Sequence, residues 1–97
     1  MIKHIVCWQL IEENKLENAL AIKTALEELN GKIDGLITIE VGTNAPNTPA
    51  NNWDIVLYSE FESLDALNNY QVHALHKAAG AIIKPLTTNR VCVDYEV

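Results

Sequence analysis

The sequence predicts an α+β fold. Four antiparallel strands form one sheet, with the helices on one face, in the ferredoxin-like order β-α-β-β-α-β and as a single domain over residues 1–97. Three observations predict it. Segments 2–11, 35–42, 53–62 and 90–97 are rich in β-branched and aromatic residues. The stretches between them, 15–30 and from Ser63 to Pro85, space their apolar residues as helices do. The strands are apolar on both faces, although helices placed in this order can cover only one.

The first strand, "IKHIVCWQLI", alternates two apolar sets. Ile2, His4, Val6, Trp8 and Leu10 point one way, and Ile5, Cys7 and Ile11 the other. Asn14 is the expected N-cap of the first helix, with Glu17 three residues on as in a capping box. Leu16, Ala19, Leu20, Leu26 and Leu29 mark its apolar stripe, and Asn30-Gly31 stops it. "GLITIEVG" is the second strand. "TNAPNTPANN" follows, a loop rich in asparagine and proline with no large apolar side chain. In the third strand, "WDIVLYSEFE", Trp53, Ile55, Leu57 and Phe61 share one face, and Val56 and Tyr58 the other. Ser63 caps the next helix, with Asp65 in its first turn. That helix runs through Leu64, Leu67 and Tyr70 towards the histidines. A further helical stripe at Leu75, Ala78, Ala79 and Ile82 ends at Pro85. "RVCVDYEV" alternates cleanly as the last strand.

A bare apolar sheet face is too large a patch for a soluble monomer. The expected remedy is a homodimer, two copies packed sheet against sheet into a closed barrel. Trp8, Trp53 and Phe61 are expected as core or interface anchors.

Of the 97 residues, 48% are apolar and 21% charged, a globular composition. The net charge of −6, with seven scattered basic residues, argues against nucleic acid and against an anionic membrane surface. No apolar run approaches the roughly 20 residues of a membrane helix. The N-terminal "MIKHIVCWQL" lacks a basic head and a cleavage site, so a cytoplasmic protein is expected. Cys7 and Cys92 read as small buried side chains in a reducing compartment; a disulfide between them is open but not expected. No CxxC pair exists, and no cofactor motif.

The segment "NYQVHALHKAAG" (69–80) holds His73 and His76, three apart, with Tyr70 three before them. Histidines at this spacing can chelate an ion. Glu62 and Asp65 lie on preceding turns, but nothing aims them at His73, so no metal site is expected. On a continuous helix Tyr70 neighbours His73, and His73 neighbours His76. Tyr70 and His76 would meet only if the chain jogs between them. His4, among apolar neighbours, reads first as a satisfied core residue.

"KHIVCWQL", "DIVLYSEFESLDALNNYQVHALHK" and "RVCVDYEV" together resemble the stress-responsive A/B barrel domain, often shortened to Dabb. The resemblance spans nearly the whole chain in order. Its most specific parts are the early His4, the "FES" helix entry and the Tyr-x-x-His-x-x-His run. It implies a ferredoxin-like monomer that dimerises into an α+β barrel. Members are known mainly as stress-associated or uncharacterised proteins. A few resemble small cofactor-free cyclases acting on polyketide-type substrates. Their catalytic histidine and tyrosine, and a supporting histidine on the first strand, fall by position on His76, Tyr70 and His4 here. The family often has His-Pro where this chain has His73-Ala74. Alanine favours helix there, which puts the turn around His73 in question.

Three readings of function follow. The first is a homodimeric Dabb-type domain without catalysis that binds a small apolar or aromatic molecule, with His73 and Trp8 among the ligand contacts. The second is a cofactor-independent cyclase, in which histidine takes a proton from an activated methylene and tyrosine holds the carbonyl. The third is a cofactor-free monooxygenase of the same barrel architecture, by fold analogy alone.

Overall fold

The computed structural model describes residues 1–97. Its elements are β1 (Ile2–Leu10), α1 (Lys15–Glu27), β2 (Leu36–Thr43), β3 (Ile55–Phe61), α2 (Leu64–Val72), α3 (Ala74–Ile83), a single 3₁₀ turn (Lys84–Leu86) and β4 (Thr87–Glu96). All strand pairs are antiparallel and the sheet order is β2-β3-β1-β4. The helices lie on one face. No helix is long and apolar enough to cross a membrane.

The inner face of β1 is Ile2, His4, Val6, Trp8 and Leu10, every one buried. β3 sets Ile55, Leu57, Ser59 and Phe61 beside them. β3 starts at Ile55, so Trp53 lies in the preceding loop, half-buried, and not on the strand's inner face. The adjoining Asp54 is the reason: its carboxylate accepts from the Leu10 N–H at 2.8 Å, and its own N–H donates to the Trp8 carbonyl at 3.1 Å. These bonds tie the chain to β1 before regular pairing begins.

α1 departs from expectation at its start. Asn14 sits in the left-handed region at φ 57°, and its side chain makes no capping bond. A side-chain N-cap needs an extended backbone to reach the second or third amide. Asparagine tolerates the left-handed state instead. The core row of α1 is Ala19, Ile22 and Leu26, so Leu16 and Leu20 face outward at 77% and 56% exposure. The stripe read from sequence is thus rotated. The regular helix ends at Glu27, and the chain reaches Gly31 through tighter turns, Leu29 N–H to Leu26 O and Asn30 N–H to Glu27 O.

The end of α1 then covers the sheet edge at β2. The Asn30 side chain donates to Ile39 O and accepts from Ile39 N–H, at 2.9 and 2.8 Å. Glu27 accepts from Val41 N–H at 3.0 Å, and Lys23 donates to Val41 O at 2.8 Å. Backbone groups that would otherwise template another strand are satisfied by side chains.

The outer sheet face is apolar, as the two-sided alternation predicts. Ile5 pairs with Tyr58 on one side and Val93 on the other; Cys7 pairs with Val56 and Val91. Val91, Val93 and Tyr95 are exposed at 49%, 61% and 41%. The cysteines are both free. Cys7 is half-buried on the outer face, and Cys92 is exposed on the inner face of edge strand β4. They point to opposite sides of the sheet, which excludes a disulfide within the chain. Neither is fully buried, because the helices stop short of β4 and leave the outer face open.

Candidate functional site

Antiparallel register decides which β4 residues join the inner face. His4 faces Asp94, Val6 faces Cys92, and Trp8 faces Arg90. His4 is 3% exposed, and its Nδ1 lies 2.5 Å from Asp94 Oδ1. The carboxylate accepts, so Nδ1 carries the proton and Nε2 is free when the ring is neutral. The His4 carbonyl also accepts from the buried Ser59 hydroxyl at 2.8 Å. β1 is therefore pinned from both neighbouring strands at His4.

Ser63 caps α2 as its sequence predicts, accepting from Ala66 N–H at 3.1 Å. α2 carries Tyr70 into the core, where the ring is fully buried. The helix then breaks at His73, whose backbone is extended (φ −67°, ψ 141°). His73 Nδ1 accepts from Leu75 N–H at 3.0 Å and so caps α3. One helix has become two, despite Ala74. Across the break His76 swings back over Tyr70, with ring centroids 4.3 Å apart. Phe61 lies 4.8 Å beyond Tyr70, and the His4 ring stands 6.2 Å from each of them.

His4, Trp8, Tyr70 and His76 line one cavity of about 490 Å³ between sheet and helices. His73 does not line it. Its ring instead caps α3, because the extended backbone at His73 turns it to that helix's own first turn.

Two ionisations are set by this position. Burial pushes the Tyr70 phenol up to about 12, against a small downward pull from Arg90. The phenol stays protonated at neutral pH, and its hydroxyl has no hydrogen-bond partner in the protein. Burial also lowers the pKa of His76; its hydrogen bond to Gln71 O opposes this, and His4, Arg90 and His73 add to the lowering. His76 Nδ1 donates to Gln71 O at 3.1 Å, which leaves Nε2 as the basic nitrogen. The pair thus offers an unpaired donor beside a neutral base.

Sequence reading missed Arg90, Lys84, Cys92 and Asp94. Arg90 and Lys84 line the same cavity. "RVCVDYEV" shows only alternation. The signal lay in pairing the ends: if β4 lies antiparallel to β1, Arg90, Cys92 and Asp94 share the His4 face. His4, Cys92 and Asp94 bring donor atoms within 4.8 Å of one another. Cys92 Sγ is 3.6 Å from both His4 Nδ1 and Asp94 Oδ1. Ligands of one tetrahedral ion at bonds of roughly 2 Å stand about 3.3 Å apart. The 2.5 Å His4–Asp94 contact is therefore spaced as a hydrogen bond. Burial, and then the Asp94 carboxylate, raise the Cys92 thiol pKa.

The family model of the stress responsive A/B barrel domain matches residues 2–97. The chain belongs to this family. Among solved structures, this Dabb domain is similar to a dimeric protein of unknown function and ferredoxin-like fold from Bacteroides fragilis. The two are 41% identical, with TM-score 0.87, over 99% of this chain and 95% of that one. A dimeric ferredoxin-like protein of unknown function from Thermobifida fusca is 28% identical, with TM-score 0.87, over 99% and 90%. The hydroxynitrile lyase from Passiflora edulis shares the Dabb fold at 16% identity and TM-score 0.70, over 97% and 90%. No curated protein matches the chain.

Proposed function

We propose that this Dabb domain is a cofactor-independent enzyme acting on carbon acids, with polyketide-type cyclisation as the reaction class. The carrying observation is the Tyr70–His76 pair. A tyrosine ring whose buried hydroxyl is unpartnered and a neutral imidazole pack with centroids 4.3 Å apart in one cavity. A buried hydroxyl without a partner costs roughly 1–3 kcal/mol. A carbonyl oxygen bound there accepts that hydrogen bond and relieves the cost.

The chemistry follows from the two protonation states. His76 Nε2 takes a proton from the carbon next to the carbonyl. The electron pair of the broken C–H bond forms a C=C bond to the carbonyl carbon, and the carbonyl π pair moves onto oxygen to give an enolate. Tyr70, with its pKa raised to about 12, stays a donor and holds that oxygen. The enolate carbon then attacks a second carbonyl of the same ligand, and His76 returns the proton to the new alkoxide. Asp94 fixes the tautomer and orientation of His4, which stands 6.2 Å from the Tyr70 ring.

The same reading takes the chain as a homodimer in the cytoplasm. Ile5, Cys7, Val56, Tyr58, Val91 and Val93 form a continuous apolar outer face, and the two relatives above are described as dimeric. A second copy packed there buries what a monomer leaves wet.

Proton exchange tests the enzyme reading directly. In D₂O, the protein speeds deuterium entry at the methylene between the carbonyls of a 3,5-dioxo thioester, followed by proton NMR. His76→Gln and Tyr70→Phe each lose that acceleration. Exchange at the same rate in His76→Gln removes the base from the reaction. A wild-type protein that binds the thioester without speeding exchange leaves the first reading, a binding domain.

A further inference from the structure

The cavity's charge is opposite to that of the chain. Acidic residues outnumber basic ones 13 to 7, yet the lining includes Lys84 and Arg90 and no carboxylate. Neither cation makes an ion pair in the protein. Lys84 comes from the 3₁₀ turn and Arg90 from β4, so two elements that meet at one end of the cavity each send a cation to it. Thr87, Thr88 and Asn89, between them, add polar lining at the same end.

The remaining wall is apolar. Val6, Trp8, Leu26, Leu57 and Ile83 form it. His4, Tyr70, His76 and Gly80 complete the lining, and the Tyr70 hydroxyl lacks a partner. A ligand that fits this wall has an apolar body, a carbonyl for Tyr70 and an anion for the cationic end. A guanidinium meets a planar carboxylate through two parallel N–H bonds, the strongest common form of anion recognition by a side chain.

We propose that the ligand is an amphipathic organic acid, its aromatic or alkyl body against Trp8 and Leu57 and its carboxylate on Arg90 and Lys84. This rests on the reading of the cavity as the active site and adds the class of molecule it takes. The free carboxylate adds an anchor at the cationic end, and a thioester without it still meets Tyr70 and His76 but binds more weakly.

Trp8 lines the cavity and Trp53, the chain's other tryptophan, does not, so Trp53→Phe leaves a single reporter inside. In that background, Trp8 fluorescence is titrated with 2-naphthoate and with 2-naphthamide, a neutral molecule of nearly the same shape. The expected result is naphthoate bound on the order of tenfold more tightly. That preference collapses in Arg90→Gln, falls in Lys84→Gln, partly returns in Arg90→Lys, and shrinks as salt is raised. Equal quenching by both probes overturns the anionic subsite and leaves the cavity as a ligand site. A naphthoate preference that survives Arg90→Gln with Lys84→Gln also overturns it, because the charge is then read elsewhere. No response of Trp8 to either probe removes both the acid and the cavity as a site for aromatic ligands. Enolate chemistry is scored separately, by the exchange assay with a thioester that carries no free carboxylate.

Discussion

Tyr70 and His76 stand with ring centroids 4.3 Å apart, although they lie six positions apart in the chain and a straight helix would turn them away from each other. The single extended residue His73 brings this about. The cavity's chemistry therefore depends on where a helix stops, and the break can be tested by strengthening it.

Ala74→Pro should be tolerated and should stabilise the fold. His73 already has the extended ψ of 141° that a following proline demands. Ala74 is the first residue of α3, where proline's missing N–H is not needed. The expected gain is about 0.5 kcal/mol, by reducing the freedom of the unfolded chain. A urea midpoint that drops in Ala74→Pro would show that the break at His73 is not the resting geometry.

Tyr70→Phe should separate stability from function. The hydroxyl is buried and unpartnered, so its removal takes away a desolvation cost and leaves the ring packed on Phe61 and His76. Stability should rise by about 1 kcal/mol while proton exchange on the dioxo thioester disappears. A destabilised Phe variant in denaturant unfolding would mean that the hydroxyl has a partner in the free protein, and its use as a donor to ligand would need replacing.

The outer sheet face makes a third claim. Val93 is 61% exposed and pairs with Ile5 at the centre of the apolar patch. Val93→Asp would place a charge without a partner in the proposed interface, a cost of several kcal/mol per copy. Analytical ultracentrifugation should find a dimer in wild type and a monomer in the variant. A wild-type protein that sediments as one subunit at micromolar concentration ends the homodimer proposal.

Much of this architecture was legible in the residues, and the exceptions have causes. Strand β1 shows its inner face because each of Ile2, His4, Val6, Trp8 and Leu10 is buried, a period of two without interruption. α1 was misread because Leu16 and Leu20 make a convincing row one step round from the true one. Small Ala19 sits close to the sheet, and the leucines stay wet. The break at His73 could not be read from propensity, since alanine at 74 favours continuing. Tertiary packing overrides it: α2 buries Ala66, Leu67 and Tyr70, and α3 buries Ala79 and Ile83. Arg90 and Asp94 were invisible for a different reason. Their meaning lies in pairing across the sheet with Trp8 and His4, more than 80 residues away, and "RVCVDYEV" alone does not carry it.

The pH dependence of stability carries the last prediction. Burial holds the folded pKa of His76 below its ordinary 6.5. Between the folded and unfolded values the unfolded chain binds more protons, so stability rises with pH through that window. The contribution is complete above 6.5 and is lost as pH falls through the folded value. His4, Arg90 and His73 press in the same direction, and the Gln71 carbonyl opposes them. His76→Gln should therefore flatten the stability curve just below pH 6.5 and leave it parallel to wild type above. Urea midpoints at half-unit steps from pH 5 to 8 measure this. Curves that stay parallel below 6.5 would mean that His76 keeps an ordinary pKa in the fold. It would then be half protonated near pH 6.5, and the neutral base on which the proposed proton transfer depends would be largely absent at mildly acidic pH.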